Sequence, residues 1–260
     1  MTQLPQSDLA QGSTGAATAL GAVRTHYPNA ETTGAAVDRL LDLLAREYGL
    51  APLQLLLADS ICSDDVNSIE YPPRAFEMVG PFRLGGLDGF PHAGLTGMGA
   101  FASHVPDGGA VVIYHAPHIG VSRDGTLGVI RRVGQNRQTG CCGAARAALA
   151  KLQKGEISPA APSEFDYQQE TIEQLFLAER ARIVNAAVPL EEATEVMYEA
   201  IAARIDLLVK RTTFPARYVV LFGGILINGD SDAGSFSEMR RLIVLDLQQG
   251  ESRDWTAAMS

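Results

Sequence analysis

Leu55-Leu56-Leu57-Ala58-Asp59-Ser60-Ile61-Cys62-Ser63-Asp64-Asp65 is a nearly unbroken apolar run that stops at a cysteine and two carboxylates. Bounded by Pro52 on one side and SDD on the other, Gln54 to Ile61 reads as a short strand buried on both faces. Cys62 therefore falls at a strand's C-terminal end, where open α/β sheets place their ligands. Two more apolar runs have the same character, Ala110 to His115 and Tyr218 to Ile227, and Arg240 to Leu247 reads as a mixed strand.

Helical periodicity fills the spaces between. Residues 16–24 predict a weak helix ended by Tyr27-Pro28. Thr33 to Tyr48 predicts a stronger one, with Val37, Leu40, Leu41, Leu44 and Tyr48 on one face and Gly49 as its stop. Further helices are expected over Thr96–His104, Cys142–Lys154, Gln168–Asn185 and Leu190–Lys210, the last with Pro189 in its first turn. Ser122-Arg123-Asp124-Gly125 signals a hairpin joining Ile119–Val121 to Leu127–Arg132. The glycine-dense stretch Gly80 to Gly99 reads as a tight loop, with Leu84, Leu87, Phe90 and Leu95 placed to line an apolar pocket. Strands alternating with helices predict an α/β fold with a mixed, partly parallel sheet flanked by helices. The expected division is a loose N-terminal segment (1–30), one α/β domain (31–250) and a C-terminal tail (251–260).

The chain has 260 residues and a net charge of -9, which argues against nucleic acid or anionic lipid as a partner. Three cysteines make no disulfide framework. No run approaches the ~20 apolar residues of a membrane span, and the N-terminus lacks the pattern of a secretory signal. The expected location is cytoplasmic, or the plastid stroma for an algal chain whose transit peptide was removed.

The chemistry rests on the three cysteines and a histidine. Two separated thiols and an imidazole, each at an element end, suit a zinc ion with one position left open. Cys62 is one candidate, and Asp64, on the same face of an extended chain, can reach a metal-bound water. His118, beyond the strand ending at His115, is preferred over His104. One of Cys141 and Cys142 is the expected third ligand, and the pair also admits a redox reading through a vicinal disulfide. Arg131, Arg132 and Arg83 are candidate partners for a carboxylate.

CSDDVN, PFRLGGLDGFPHAGLTG, FASHVPDGG, APHIGVSRDG, GCCGAA, DYQQ and VLFGGILIN, in this order, resemble the limiting-CO2-inducible protein B/C family, grouped as theta-class carbonic anhydrases. The resemblance runs from about Leu56 to Leu247. It implies a β-carbonic-anhydrase-like fold, a homodimer, and zinc held by Cys62, His118 and Cys142. Hydroxide on that zinc would attack CO2 to give bicarbonate, with Asp64 beside it and Arg132 as the arginine of an Asp-Arg dyad. β-Carbonic anhydrases carry arginine two residues after the Asp, where this chain has Val66, so the arginine comes from elsewhere. They also place the second cysteine three residues after the His, where this chain has Val121 and inserts a hairpin. Two further readings stand beside the enzyme: an inactive zinc-bearing scaffold of a CO2-concentrating system, and a thiol redox protein.

Overall fold

The strands that read as apolar runs form the centre of a sheet. In the computed structural model, which describes residues 17–259, β2 (Leu55–Ser60) and β4 (Ala110–His115) are buried at every position. β8 (Tyr218–Asn228) lies beside β4, buried everywhere but its first residue. The three run parallel and in register, Leu55 opposite Ala110 and Ala110 opposite Tyr218. Side chains alternate across the pleat, so one strand feeds two cores. Leu56, Ala58, Val111, Ile113, Val219 and Leu221 face one side, and Leu55, Leu57, Ala110, Val112, Val220 and Phe222 the other.

The remaining elements cover these faces. α1 (residues 17–23) is followed by β1 (Glu31–Thr32) and α2 (Thr33–Tyr48). Thr32 Oγ1 caps α2 by accepting from Ala35 N–H, and Gly49, at φ 66°, ends it in the left-handed conformation that glycine adopts without strain. Its Leu40 and Leu44 are wholly buried against the second core; truncating either to alanine should cost about 2–5 kcal/mol. α3 (Asp65–Ile69), β3 (Val79–Arg83) and α4 (Gly94–Ala102) follow β2. β5 (His118–Gly120), β6 (Val129–Arg131) and β7 (Gln138–Gly140) follow β4, and then α5 (Gly143–Lys154), α6 (Tyr167–Ala178), α7 (Arg180–Val184) and α8 (Pro189–Lys210). β9 (Ser235–Asp246) pairs antiparallel with β8, and β10 (Glu251–Asp254) with β9. The order β1-β9-β8-β4-β2-β3, with β5 beside β8, is a mixed, mostly parallel sheet flanked by helices.

Several local expectations change. The glycine-dense stretch is no simple loop: it contains the parallel edge strand β3, and α4 begins at Gly94. Leu84 joins the core, but Leu95 is half exposed. The helix expected over Gln168–Asn185 is broken at Glu179. The hairpin turn forms, with Ser122 Oγ donating to Asp124 Oδ1 and Val121 bridging Leu127, but its returning strand β6 pairs with β7. Residues 1–16 of the expected N-terminal segment lie outside the described residues; within 17–30, Ala19, Val23 and Tyr27 are buried. The expected tail contains β10, and Met259 is buried.

Candidate metal centre

Three chain segments meet at the C-terminal edge of the parallel strands. Cys62 lies two residues beyond β2, where Asn67 Nδ2–H holds its carbonyl at 3.2 Å. His118 opens β5, so it is a strand residue rather than a loop residue, and it pairs with Leu226 of β8. Cys142 is the residue immediately before α5, in an extended conformation that hands the chain into the helix. All three are at least 95% buried. The sulfurs of Cys62 and Cys142 and a ring nitrogen of His118 all lie within 4.8 Å of one another. A tetrahedral zinc, at about 2.3 Å from sulfur and 2.0 Å from nitrogen, spaces its ligand atoms about 3.5–3.8 Å apart, so the cluster fits such an ion with small adjustments.

A second donor group, Asp64, His118 and Cys141, shares the imidazole. The two faces of the ring separate them. Nδ1 lies 2.8 Å from Asn228 Oδ1, an acceptor, so Nδ1 carries the proton and donates it. Cys141 Sγ sits on that same side, 3.5 Å from Nδ1. Nε2 is buried and has no hydrogen-bond partner among the described residues. A buried ring nitrogen without a hydrogen-bond partner is what a metal ligand presents in the absence of its metal. Asn228 is held in turn by Nδ2–H bonds to Asn67 Oδ1 (3.2 Å) and Glu70 Oε2 (3.0 Å).

Arg132 grips Asp64 with a two-pronged fork, Nη1 to Oδ1 at 2.6 Å and Nη2 to Oδ2 at 2.7 Å. Nε also donates to Thr139 Oγ1, and Nη2 to the Gly140 carbonyl, so the guanidinium is fixed from both sides. Asp64 additionally caps α3 by accepting from Val66 N–H. Burial pushes its carboxyl up, but Arg132 and His118, with hydrogen bonds from Asp65 and the Val66 N–H, together outweigh burial and hold it below the ordinary carboxylate range. Hydrogen bonding to Cys142, then burial, pushes the Cys62 thiol well up, and Cys142 is raised too, by burial against the pull of its bond to Cys62. Burial opposes a charged His118, yet the neighbouring Cys141 and Cys62 sulfurs raise it well above an ordinary imidazole. A metal there would have to displace protons from the thiols and the imidazole, so its binding would release protons and strengthen as pH rises.

The other candidates go elsewhere. Arg83 pairs with Asp59 and lies 5.2 Å over the Tyr71 ring. The Arg131 backbone N–H donates to Asp230, while its side chain is exposed. His104 packs edge-on against Phe82, and His115 is buried against Tyr198. All three cysteines are free thiols, with no disulfide between Cys141 and Cys142. Sequence reasoning missed Asn228 and Asp88, which touch the centre only through the fold. The only sequence trace of either is position: Asn228 ends a strand and Asp88 sits between glycines.

A mixed, mostly parallel sheet carrying a thiol-imidazole cluster at its C-terminal edge defines a β-carbonic-anhydrase-like protein. Residues 31–246 match the family of limiting CO2-inducible proteins B/C, beta carbonic anhydrases, and the chain belongs to that family. The crystal structure of PtLCIB4, a homolog of the limiting CO2-inducible protein LCIB, is similar with 28% identity and a TM-score of 0.78, over 90% of this chain and 98% of that one. A point mutant of PtLCIB4 is similar at 28% identity and TM-score 0.75, over 91% of this chain and 99% of that one. Limiting CO2-inducible protein LCIB itself shares the fold at 17% identity and TM-score 0.67, over 88% of this chain and 95% of that one. No curated protein matches the chain. Among the described residues, no helix is long and apolar enough to cross a membrane.

Proposed function

We propose that this chain is a zinc-dependent carbonic anhydrase that interconverts CO2 and bicarbonate. The observation that carries the reading is the convergence of Cys62, His118 and Cys142 beside an aspartate gripped by an arginine fork. Cys62, His118 through Nε2, and Cys142 would hold the zinc. Zinc in such a site supplies Lewis acidity that makes water nucleophilic near neutral pH.

The protein's own part is orientation and proton control. With its pKa held low, Asp64 is ionised at neutral pH and can only accept hydrogen bonds. Arg132 occupies one lone pair of each oxygen and fixes the carboxylate plane. A remaining lone pair accepts a hydrogen bond from the attacking water, which turns the water's own lone pair toward the carbon of CO2. Water adds to CO2 to give bicarbonate, and the proton released passes to solvent buffer.

Asp64 also lies within reach of the imidazole. Were it to take the open position on the metal, the site would be closed, and the chain would serve as a zinc-bearing scaffold of a CO2-concentrating system, as a homodimer in either case. Stopped-flow CO2 hydration on protein of measured zinc content separates the readings. The enzyme predicts one zinc per chain, hydration that follows the zinc, and loss of both in Cys62→Ala. Wild-type hydration by Cys62→Ala refutes it. Stoichiometric zinc without hydration favours the scaffold, and a zinc-free native protein favours thiol redox chemistry.

A further inference from the structure

One residue outside the donor set touches it from two directions. Asp88 lies in the Gly85–Gly89 turn and is 99% buried. Its backbone N–H donates to Cys62 Sγ at 3.1 Å. Its carboxylate Oδ1 accepts from the His118 backbone N–H at 3.3 Å, while Oδ2 is buried without a hydrogen-bond partner among the described residues. The carboxyl also lies close enough to the Cys142 thiol to act on it electrostatically. A single side chain and its own amide thus bridge two donors that are far apart in sequence and adjoin the third.

The turn is built to hold Asp88 in that place. Asp88 has φ 50°, a left-handed conformation that aspartate and asparagine tolerate better than most non-glycine residues. Gly89 follows at φ 81°, and a side chain there would collide with the Ala116 carbonyl. The Gly89 carbonyl accepts from Ser60 Oγ–H at 2.7 Å, which ties the turn to the end of β2. From the other side Gln168 of α6 reaches in, its Oε1 accepting from Leu87 N–H at 2.8 Å, and a Cβ on Gly86 would strike that amide. The turn is therefore clamped between β2 and α6, with Asp88 at its tip.

We infer that Asp88 is a positioning residue for the metal centre: it sets the spacing of Cys62 and His118 by the hydrogen bond its backbone N–H donates to Cys62 and the one its carboxylate accepts from the His118 backbone. This rests on the metal-binding part of the function proposed above. Groups that orient metal ligands in this way typically change affinity about 10–100-fold when removed.

The test is chelator-competition measurement of zinc affinity on the full chain, with the thiolate-to-metal charge-transfer band of the Co2+-substituted protein as the spectroscopic readout. Asp88→Ala removes the Oδ1 acceptor and strains the left-handed backbone; it should weaken zinc binding by about 10–100-fold and alter the cobalt band. Asp88→Asn keeps the backbone preference, the N–H and a carbonyl acceptor, and should restore both. Gln168→Ala, which touches no donor, should weaken zinc by a smaller factor and leaves the test standing if Asp88→Ala does not fold. Wild-type zinc affinity and an unchanged cobalt band in Asp88→Ala, or in Gln168→Ala where the former does not fold, overturn the inference. So does an Asp88→Asn variant as weak as Asp88→Ala, because charge rather than hydrogen-bond placement would then be at work. A wild-type protein that binds no zinc refutes the metal reading itself. A zinc-binding protein indifferent to these changes refutes only the role of Asp88.

Discussion

Replacing Arg132 with lysine keeps a positive charge beside Asp64 and removes the fork. Lysine offers one compact ammonium, which cannot bond both carboxylate oxygens and also reach Thr139 and the Gly140 carbonyl. Both side chains of the pair are only about 15% exposed, so solvent does little to replace what is lost. Losing one charge-assisted hydrogen bond there should lower stability by about 2 kcal/mol. Burial, which Arg132 helps to outweigh, is then less opposed, so the Asp64 carboxyl moves up. The sign follows from linkage. A depressed carboxyl contributes stability above its unfolded pKa of 3.8 and loses it as pH falls through the still lower folded value, so the variant forfeits that contribution at a higher pH. Its rate should fall by about 10–100-fold in kcat/KM, which is about 1.4–2.7 kcal/mol of transition-state stabilisation. Urea unfolding and stopped-flow hydration of protein with matched zinc content measure the two effects, and the acid limb of the pH-rate profile should move upward. Unchanged stability, kcat/KM and acid limb in Arg132→Lys would refute the argument.

The cysteine pair should behave asymmetrically: Cys142→Ser is expected to lower zinc stoichiometry strongly, while Cys141→Ser, altered on the Nδ1 side of His118, keeps it; equal losses by metal analysis would contradict the assignment. Burial pushes His115 down to about 4, so its folded pKa lies below the unfolded value and stability is lost as pH falls through that window. Relative to His115→Gln, wild type should lose about 2 kcal/mol between pH 7 and pH 5, read from urea midpoints. Glu70 goes the other way: burial lifts its carboxyl to about 7, so its stability contribution is full below pH 4.5 and declines as pH rises. Glu70→Gln keeps a carbonyl for Asn228 Nδ2 and should gain about 2–3 kcal/mol on wild type between pH 5 and pH 8; a pH-independent difference counts against the charged, buried state of Glu70.

What could be read from the residues depended on how each segment is covered. β2, β4 and β8 announce themselves because both faces are packed, which demands continuous apolar residues. β3 hides: Val79-Gly80-Pro81-Phe82-Arg83 lies at the sheet's edge, half exposed and interrupted by a proline. β10, Glu251-Ser252-Arg253-Asp254, is exposed throughout and held by backbone pairing to β9, so no side-chain pattern betrays it. The break at Glu179 has no glycine or proline to mark it. In the candidate site, Cys62, His118 and the Cys141-Cys142 pair are legible as reactive residue types at element ends. Asp88 and Asn228 are not, since their roles are contacts with residues 30 and 110 positions away.

The donors come from the end of β2, the start of β5 and the start of α5, and β2 meets β5 only through β4 and β8. Such parallel, non-local pairings are slow to form. The unfolded chain can offer single thiols and imidazoles to a metal, but the three-donor geometry exists only once those strands have docked. Tight chelation of the proposed zinc would therefore be a clock for the chain's own assembly. In a refolding experiment, the moment at which zinc becomes resistant to a competing chelator should mark completion of the central sheet, and should trail the appearance of helical circular dichroism.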